Sequence, residues 1–300
     1  MATELVALAL QHARTSGLHA TPLAALQIIR TDHMLPGLHS MLRPSLCFIA
    51  QGAKQVAVGS TVFKYARNEF LFSSVDLPVT GQVTDATPRA PYLCLMLEIS
   101  PSLVFELVTA MDGVVPPRPA PARRAIFVGK QDDVMADAFL RLMRCAQSEL
   151  DARVLAPSVI REITYRLLCG PYGNAVRDLG VAGSQTQRVA AAIDWLKRDY
   201  AKPLRVAKLA RLAGMSSSAF HQHFKQVTTL SPLQYQKQLR LQEARRLLLD
   251  LSMGAADVGF RVGYESPSQF SREYTRLFGL PPISDAKRIR SAPTGEARGA

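Results

Sequence analysis

Between positions 43 and 99 the apolar residues fall in short runs, at 46–50, 55–58, 61–65, 70–72, 79–83 and 92–99. Turn formers such as Gly59-Ser60, Arg67-Asn68 and Thr87-Pro88 separate them. Runs of this length rich in β-branched and aromatic side chains predict strands, and six at close spacing predict a small antiparallel barrel or sandwich. From Ser102 the period lengthens. A short helix over 102–111 is followed by a proline-rich stretch at 116–121, which predicts an extended connector. Met135, Phe139 and Leu142, then Ile160, Ile163 and Leu167, recur at helical spacing, so helices are expected over 132–150 and 157–169. Such a pair packs on the barrel or forms a dimer seam, and the spacing leaves both open. The first residues predict an amphipathic helix ending near Gly17, and Gly170-Pro171 stops the later pair. Beyond Gln185 the pattern is helical throughout, beginning with Val189, Ile193, Leu196 and Tyr200 and stopped by Lys202-Pro203.

Charge sharpens this division. The 300 residues hold 36 Lys and Arg against 24 Asp and Glu, a net +12. Residues 1–183 carry 17 basic and 15 acidic side chains, whereas 184–300 carry 19 and 9. The excess therefore sits in the helical part, as expected of an anion-binding module joined to a nearly neutral one. The expected organisation is an α+β chain with a first domain over 1–174, its barrel at about 43–99 and its helices at about 132–169. A linker at 175–184, a basic helical domain at 185–285 and a disordered tail at 286–300 follow. No apolar run approaches the roughly 20 residues that span a bilayer, and Glu4 precedes a short apolar stretch that does not read as a secretory signal. Cys47, Cys94, Cys145 and Cys169 form no Cys-x-x-Cys pair, which predicts neither zinc nor a disulfide framework and points to a reducing cytoplasm.

Within the basic part, a short helix from Val206, a turn containing Gly214 and a helix starting after Ser216 make a helix-turn-helix pattern. Phe220, Phe224 and Val227 form the buried stripe of the second helix, leaving Ser218, His221, Gln222 and Lys225 outward. These side chains have the reach and polarity to meet base edges and phosphates. One such match is only moderately specific. A second copy raises it: Gly214 recurs as Gly263 at an offset of 49, and Phe220, Phe224, Leu230 and Pro232 recur as Phe270, Tyr274, Leu280 and Pro282 at an offset of 50. Ser266 is placed to cap the second reading helix, with Pro267 in its first turn. An uninterrupted helical stretch from Pro232 to about Leu251 joins the copies and spans roughly 30 Å, close to the roughly 34 Å between successive major grooves on one side of B-DNA.

These features resemble the AraC/XylS family of bacterial transcription regulators. The C-terminal likeness covers about residues 185–283 and rests on Gly259-Phe-Arg-Val-Gly-Tyr-Glu-Ser-Pro-Ser-Gln-Phe-Ser-Arg272 through Phe278-Gly-Leu-Pro-Pro282. The N-terminal half resembles that family's own N-terminal domain through Leu46-Cys-Phe-Ile-Ala-Gln-Gly-Ala-Lys54, Phe70-Leu-Phe-Ser-Ser-Val-Asp-Leu-Pro-Val79 and Pro91-Tyr92-Leu93. The resemblance implies a cupin-like effector domain, a helical dimerisation element and sequence-specific control of nearby genes. It places base reading on Ser218, His221, Gln222, Ser268, Gln269 and Arg272. Lys225, Lys237, Arg240 and Arg276 are the expected phosphate neighbours. The implied partners are a double-stranded DNA operator and a second copy of the chain, with RNA polymerase and a small-molecule effector left open. There are two departures from the family pattern: Asp285 and Ala286 stand where Tyr-Arg is usual, and Gly259 stands where Ala is common.

Other classes of protein fit these features less well. A non-specific architectural DNA-binding protein would share the charge but not the base-reading faces. A cupin-type enzyme needs a His-x-His metal cluster, yet none of the six histidines lies between Gly52 and Ile99. His221 and His223, two apart on a helix, face different ways and do not suggest a shared metal. No phosphate loop, catalytic triad or nucleophile elbow is present, so neither enzyme activity nor a cofactor is expected. Cys47 and Cys94 lie in predicted strands and are the candidates for lining an effector site, the alternative being that both are small buried hydrophobes.

Overall fold

The computed structural model describes residues 2–111, 124–250 and 253–291. The proline-rich connector at 116–121 and the last nine residues lie outside them. The chain divides into two compact units, the main division falling between Gln187 and Arg188, with Gln226–Thr229 grouped with the first.

The first unit opens with helix α1 (Ala2–His12) and strands β1 (Gly17–Ala20), β2 (Leu26–Thr31), β3 (Leu38–Leu42), β4 (Ser45–Gln51) and β5 (Ala53–Val58). It continues through β6 (Thr61–Ala66), β7 (Glu69–Ser73), β8 (Leu77–Asp85), β9 (Tyr92–Glu98), helix α2 (Pro101–Ala110) and β10 (Ile126–Lys130). Helices α3 (Asp133–Cys145), α4 (Glu149–Val154), α5 (Ala156–Cys169) and α6 (Gly173–Gly180) complete it. The strands form two antiparallel sheets, a six-stranded one in the order β1-β2-β9-β4-β7-β10 and a four-stranded one in the order β3-β8-β5-β6. At Gly52 the chain leaves the first sheet for the second. Its φ is +80°, and a Cβ there would lie 2.5 Å from the Asp85 carbonyl oxygen, so only glycine fits.

Side-chain alternation gives the six-stranded sheet two distinct faces. Leu26 and Ile28 of β2, Leu46 and Phe48 of β4, and Leu93, Leu95 and Leu97 of β9 belong to one core with helices α1, α3, α5 and α6. Phe48 stacks on Phe139 of α3 with ring centroids 4.1 Å apart. The opposite face carries Ile29, Cys47, Ile49, Tyr92 and Cys94, all buried. The sheet is thus covered on both sides, which is why β4 and β9 read as continuous apolar runs.

Several boundaries differ from the sequence expectation. Strands β1, β2, β3 and β10 were not foreseen. β1 and β3 lie at sheet edges and have no fully buried position, and β2 carries Arg30 in mid-strand, which donates to Asp32 and to the Ala13 and Arg14 carbonyls. The single helix expected over 132–150 is two. Asp132 caps α3 at the Met135 amide, and Ser148 starts α4 afresh by accepting from the Asp151 amide. The stretch expected to be a linker is mostly helix α6, and its Val176 and Leu179 join the sheet–helix core.

The second unit is helical. It contains α7 (Gln185–Asp199), which begins three residues before the division, α8 (Val206–Leu212), α9 (Ser217–Thr228) and α10 (Pro232–Asp250). It ends with α11 (Ala255–Arg261), α12 (Pro267–Phe278) and α13 (Pro282–Ser291). Helix α13 occupies the start of the region expected to be a disordered tail, and Ala286 on it is buried.

Candidate nucleic-acid interface

The two helix-turn-helix copies match hydrogen bond for hydrogen bond. In the first turn Ala213 N–H donates to Leu209, Gly214 to Arg211 and Met215 to Ala210; in the second Val262 donates to Val258, Gly263 to Phe260 and Tyr264 to Gly259. Gly214 and Gly263 both adopt left-handed conformations, with φ of +62° and +94°. At Gly263 a Cβ would come within 2.1 Å of the Ala201 carbonyl oxygen, so close backbone approach adds to the conformational need. Ser216 Oγ then accepts from the Ala219 amide at 3.2 Å, and Ser266 Oγ from the Gln269 amide at 3.4 Å. The extra residue in the second turn lies between the glycine and this cap.

The buried stripes also correspond. Phe220 and Phe224 on α9, and Phe270 and Tyr274 on α12, are fully enclosed. Ser218, His221, Gln222 and Lys225 are exposed on α9, and Ser268, Gln269, Arg272 and Arg276 are exposed on α12. Each expected base-reading side chain therefore stands on the open face of its helix, and the structure groups them in two clusters of three.

Two of the four expected phosphate neighbours are engaged within the protein. Arg240 turns inward: its guanidinium donates to the carbonyls of Tyr200, Ala201, Lys202 and Gly263 at 2.8–3.1 Å. Burial lowers its pKa from the ordinary arginine value. Arg240 is a clamp that ties α10 to the end of α7 and the second turn, and a phosphate would have to displace those bonds. Lys237 pairs with Glu273 at 2.7 Å, and Tyr264 Oη and Gln269 Nε2 donate to the same carboxylate. Burial opposes ionisation of Glu273, but these donors outweigh it and hold the carboxyl below its usual range. This cluster fixes the angle between α10 and α12.

Asp285 fills the place where the sequence departs from the family pattern. Its carboxylate is fully buried and accepts from Arg245 at 2.8 and 3.1 Å, from Tyr274 Oη at 3.0 Å and from Arg288 at 2.9 Å. Burial works against the charge, and the arginine hydrogen bonds more than offset it, leaving the carboxyl below its ordinary range. An ion pair thus closes the packing of α13. The second departure is also explained. Phe270 ring atoms lie 3.0 Å from where a Gly259 Cβ would be, so the ring packs directly on the backbone. Sequence reading missed Glu273 and Arg245 and marked Asp285 only as a departure from the family pattern; for Glu273 the available signal was its spacing of four from Gln269.

In the first unit, Cys47 and Cys94 lie on β4 and β9, buried on the face turned towards the four-stranded sheet. A cavity of about 20 Å³ lies there, lined by Ile29, Thr31, Leu38, Ser40, Lys54 and Val83 among others. Among the described residues no cluster of three or more His, Cys, Asp and Glu could hold a metal ion, and no helix is long and apolar enough to cross a membrane.

Residues 22–175 match the family model described as the AraC-type transcriptional regulator N-terminus, and residues 209–288 match a helix-turn-helix domain. The chain is 32% identical over 101 residues to the virulence regulon transcriptional activator VirF of Yersinia enterocolitica, covering 34% of this chain and 37% of VirF. It is 29% identical over 103 residues to the HTH-type transcriptional activator RhaS of Pectobacterium carotovorum, covering 34% and 37%. These alignments thus span little more than a third of each relative. ToxT from Vibrio cholerae O395, solved bound to (E)-4-(8-methylnaphthalen-1-yl)but-3-enoic acid, aligns over 88% of this chain and 98% of its own with a TM-score of 0.54 at 8% identity. A second ToxT structure from the same strain covers 89% and 99% with a TM-score of 0.51 at 8% identity. At that identity the likeness is one of fold.

Proposed function

Because this chain belongs to the AraC-type transcriptional regulators, whose N-terminal model spans more than half of it, we propose that it reads a bipartite DNA operator with α9 and α12. Ser218, His221 and Gln222 address one major groove, and Ser268, Gln269 and Arg272 the next. Lys225 and Arg276 lie beside these faces and neutralise phosphates. Lys237 does so only by sharing its ammonium with Glu273, and Arg240 serves as the internal clamp. The observation that carries this reading is the pair of hydrogen-bond-matched turns at either end of α10. Its 19 residues span about 28 Å, near the spacing of grooves on one face of the duplex.

The N-terminal unit receives a small-molecule signal in this proposal, as its match to the regulator N-terminus suggests. A second copy of the chain docks on α4 and α5, where Leu150, Val154, Leu155 and Tyr165 are 69%, 61%, 50% and 44% exposed. The cytoplasm is the compartment this role implies. Selection of genomic fragments by the full chain tests the reading. A shared sequence should emerge and bind at least about a thousandfold more tightly than random duplex at the same salt. Uniform retention of all fragments would instead indicate an architectural DNA-binding protein.

A further inference from the structure

The interior face of the six-stranded sheet brings together groups that the DNA-binding role does not use. In the β4–β9 ladder Cys47 pairs with Met96 and Ile49 with Cys94. The two cysteines therefore sit diagonally on one face of neighbouring strands, 4% and 1% exposed. Ser45 Oγ lies 4.0 Å from Cys47 Sγ. Tyr65 reaches the thiols from the opposite sheet, and Lys54 lies 6.0 Å from the Tyr92 ring centroid. The Tyr92 hydroxyl is buried against Cys94 and Tyr65. A small cavity on this side of the sheet is lined by Lys54 and by Ile29, the direct cross-strand neighbour of Cys94.

We propose that Cys47 and Cys94 are a peroxide-oxidisable thiol pair, with Cys47 the attacking sulfur and Cys94 the resolving one, that closes to a disulfide between β4 and β9. This chemistry stands independently of DNA binding. The roles are unequal because the environments are. Hydrogen bonding with Cys94 is the largest influence on the Cys47 thiol and draws it below its ordinary range, while burial opposes and the Lys54 ammonium assists. The same contact and burial push Cys94 well up. A thiolate beside a thiol suits stepwise oxidation rather than a metal held between two thiolates.

Both thiols are almost wholly enclosed, which favours a small uncharged oxidant over a bulky electrophile. The Cys47 thiolate attacks one peroxide oxygen and the O–O bond breaks. The departing oxygen, hydrogen-bonded by Tyr92, takes up the proton shed by Cys47 and leaves as water. Cys94 then displaces the hydroxyl of the Cys47 sulfenic acid, its own proton leaving with that hydroxyl as a second water. Two thiols are oxidised by two electrons, and one hydrogen peroxide is reduced to two waters. A diagonal pair has Cα atoms about 7–8 Å apart, slightly beyond disulfide reach. Closure therefore needs a small strand shift, and the register irregularity between Ile49 and Gln51 lies beside it.

The reduced full chain, treated with a few equivalents of hydrogen peroxide and mapped by mass spectrometry after alkylation under denaturing conditions, should yield a Cys47–Cys94 bridged peptide. Cys145 and Cys169 should remain alkylated over the same interval. Cys94→Ser should stop at a dimedone-reactive sulfenic acid on Cys47. Tyr92→Phe, which removes only the hydroxyl, should slow bridging severalfold in a folded protein. Oxidation of Cys47 no faster than Cys145, or a mixture of sulfinic acids without the bridge, would overturn the proposal, and the wild-type map alone decides this if a variant fails to fold.

Discussion

Arg272 is exposed on α12 with no carboxylate bound to it among the described residues, so its five donors are available to a base edge. Arg272→Ala should weaken operator binding by about 1–3 kcal/mol and relax preference at one base position, as read from binding to single-base operator variants. An equal loss on every sequence would make it a phosphate contact. Asp285 carries the opposite kind of prediction. Its folded carboxyl lies below the unfolded value of about 3.9, so its stabilisation is present above that value and disappears as pH falls through the folded one. Asp285→Asn should cost on the order of 3 kcal/mol near neutrality by leaving buried Arg245 without its partner. It should also flatten the loss of stability below about pH 4, which urea titrations across pH would reveal. The outward-facing positions were legible because helical period fixes which residues oppose a Phe stripe. The inward fate of Arg240 was not, since its carbonyl acceptors come from residues some 23 to 40 positions away.

At the level of elements, the glycine turn and serine cap in each copy are written locally, and local sequence was enough to find them. Ser266→Ala and Ser216→Ala should each destabilise the C-terminal unit by about 1 kcal/mol, measured by chemical denaturation. An effect on neither would show that the caps are redundant. The central strands were also legible, for the six-stranded sheet is covered on both faces and its runs are apolar without interruption. Edge strands β1 and β3 carry no such signal because neither has a fully buried position, and β3 pairs with the distant β8. Helix α6 escaped for a related reason: Gly170 and Pro171 mark a stop, whereas the apolar surface that receives Val176 and Leu179 is assembled from the rest of the unit.

Across the whole molecule, the uneven charge and the repeated hairpin belong to one design: a basic helical unit whose two exposed helix faces, the proposed reading faces, are joined by a single connecting helix. The clamp of Arg240 and the Lys237–Glu273 pair fix that helix against the second copy, so the spacing of the faces is a property of the fold. Hydroxyl-radical footprinting of the full chain on its selected operator is the most direct measurement. Two protected stretches should appear on one face of the duplex, about one helical turn apart, with His221→Ala weakening protection mainly in one and Arg272→Ala mainly in the other. Protection confined to a single groove, or both stretches lost together with either substitution, would contradict the account.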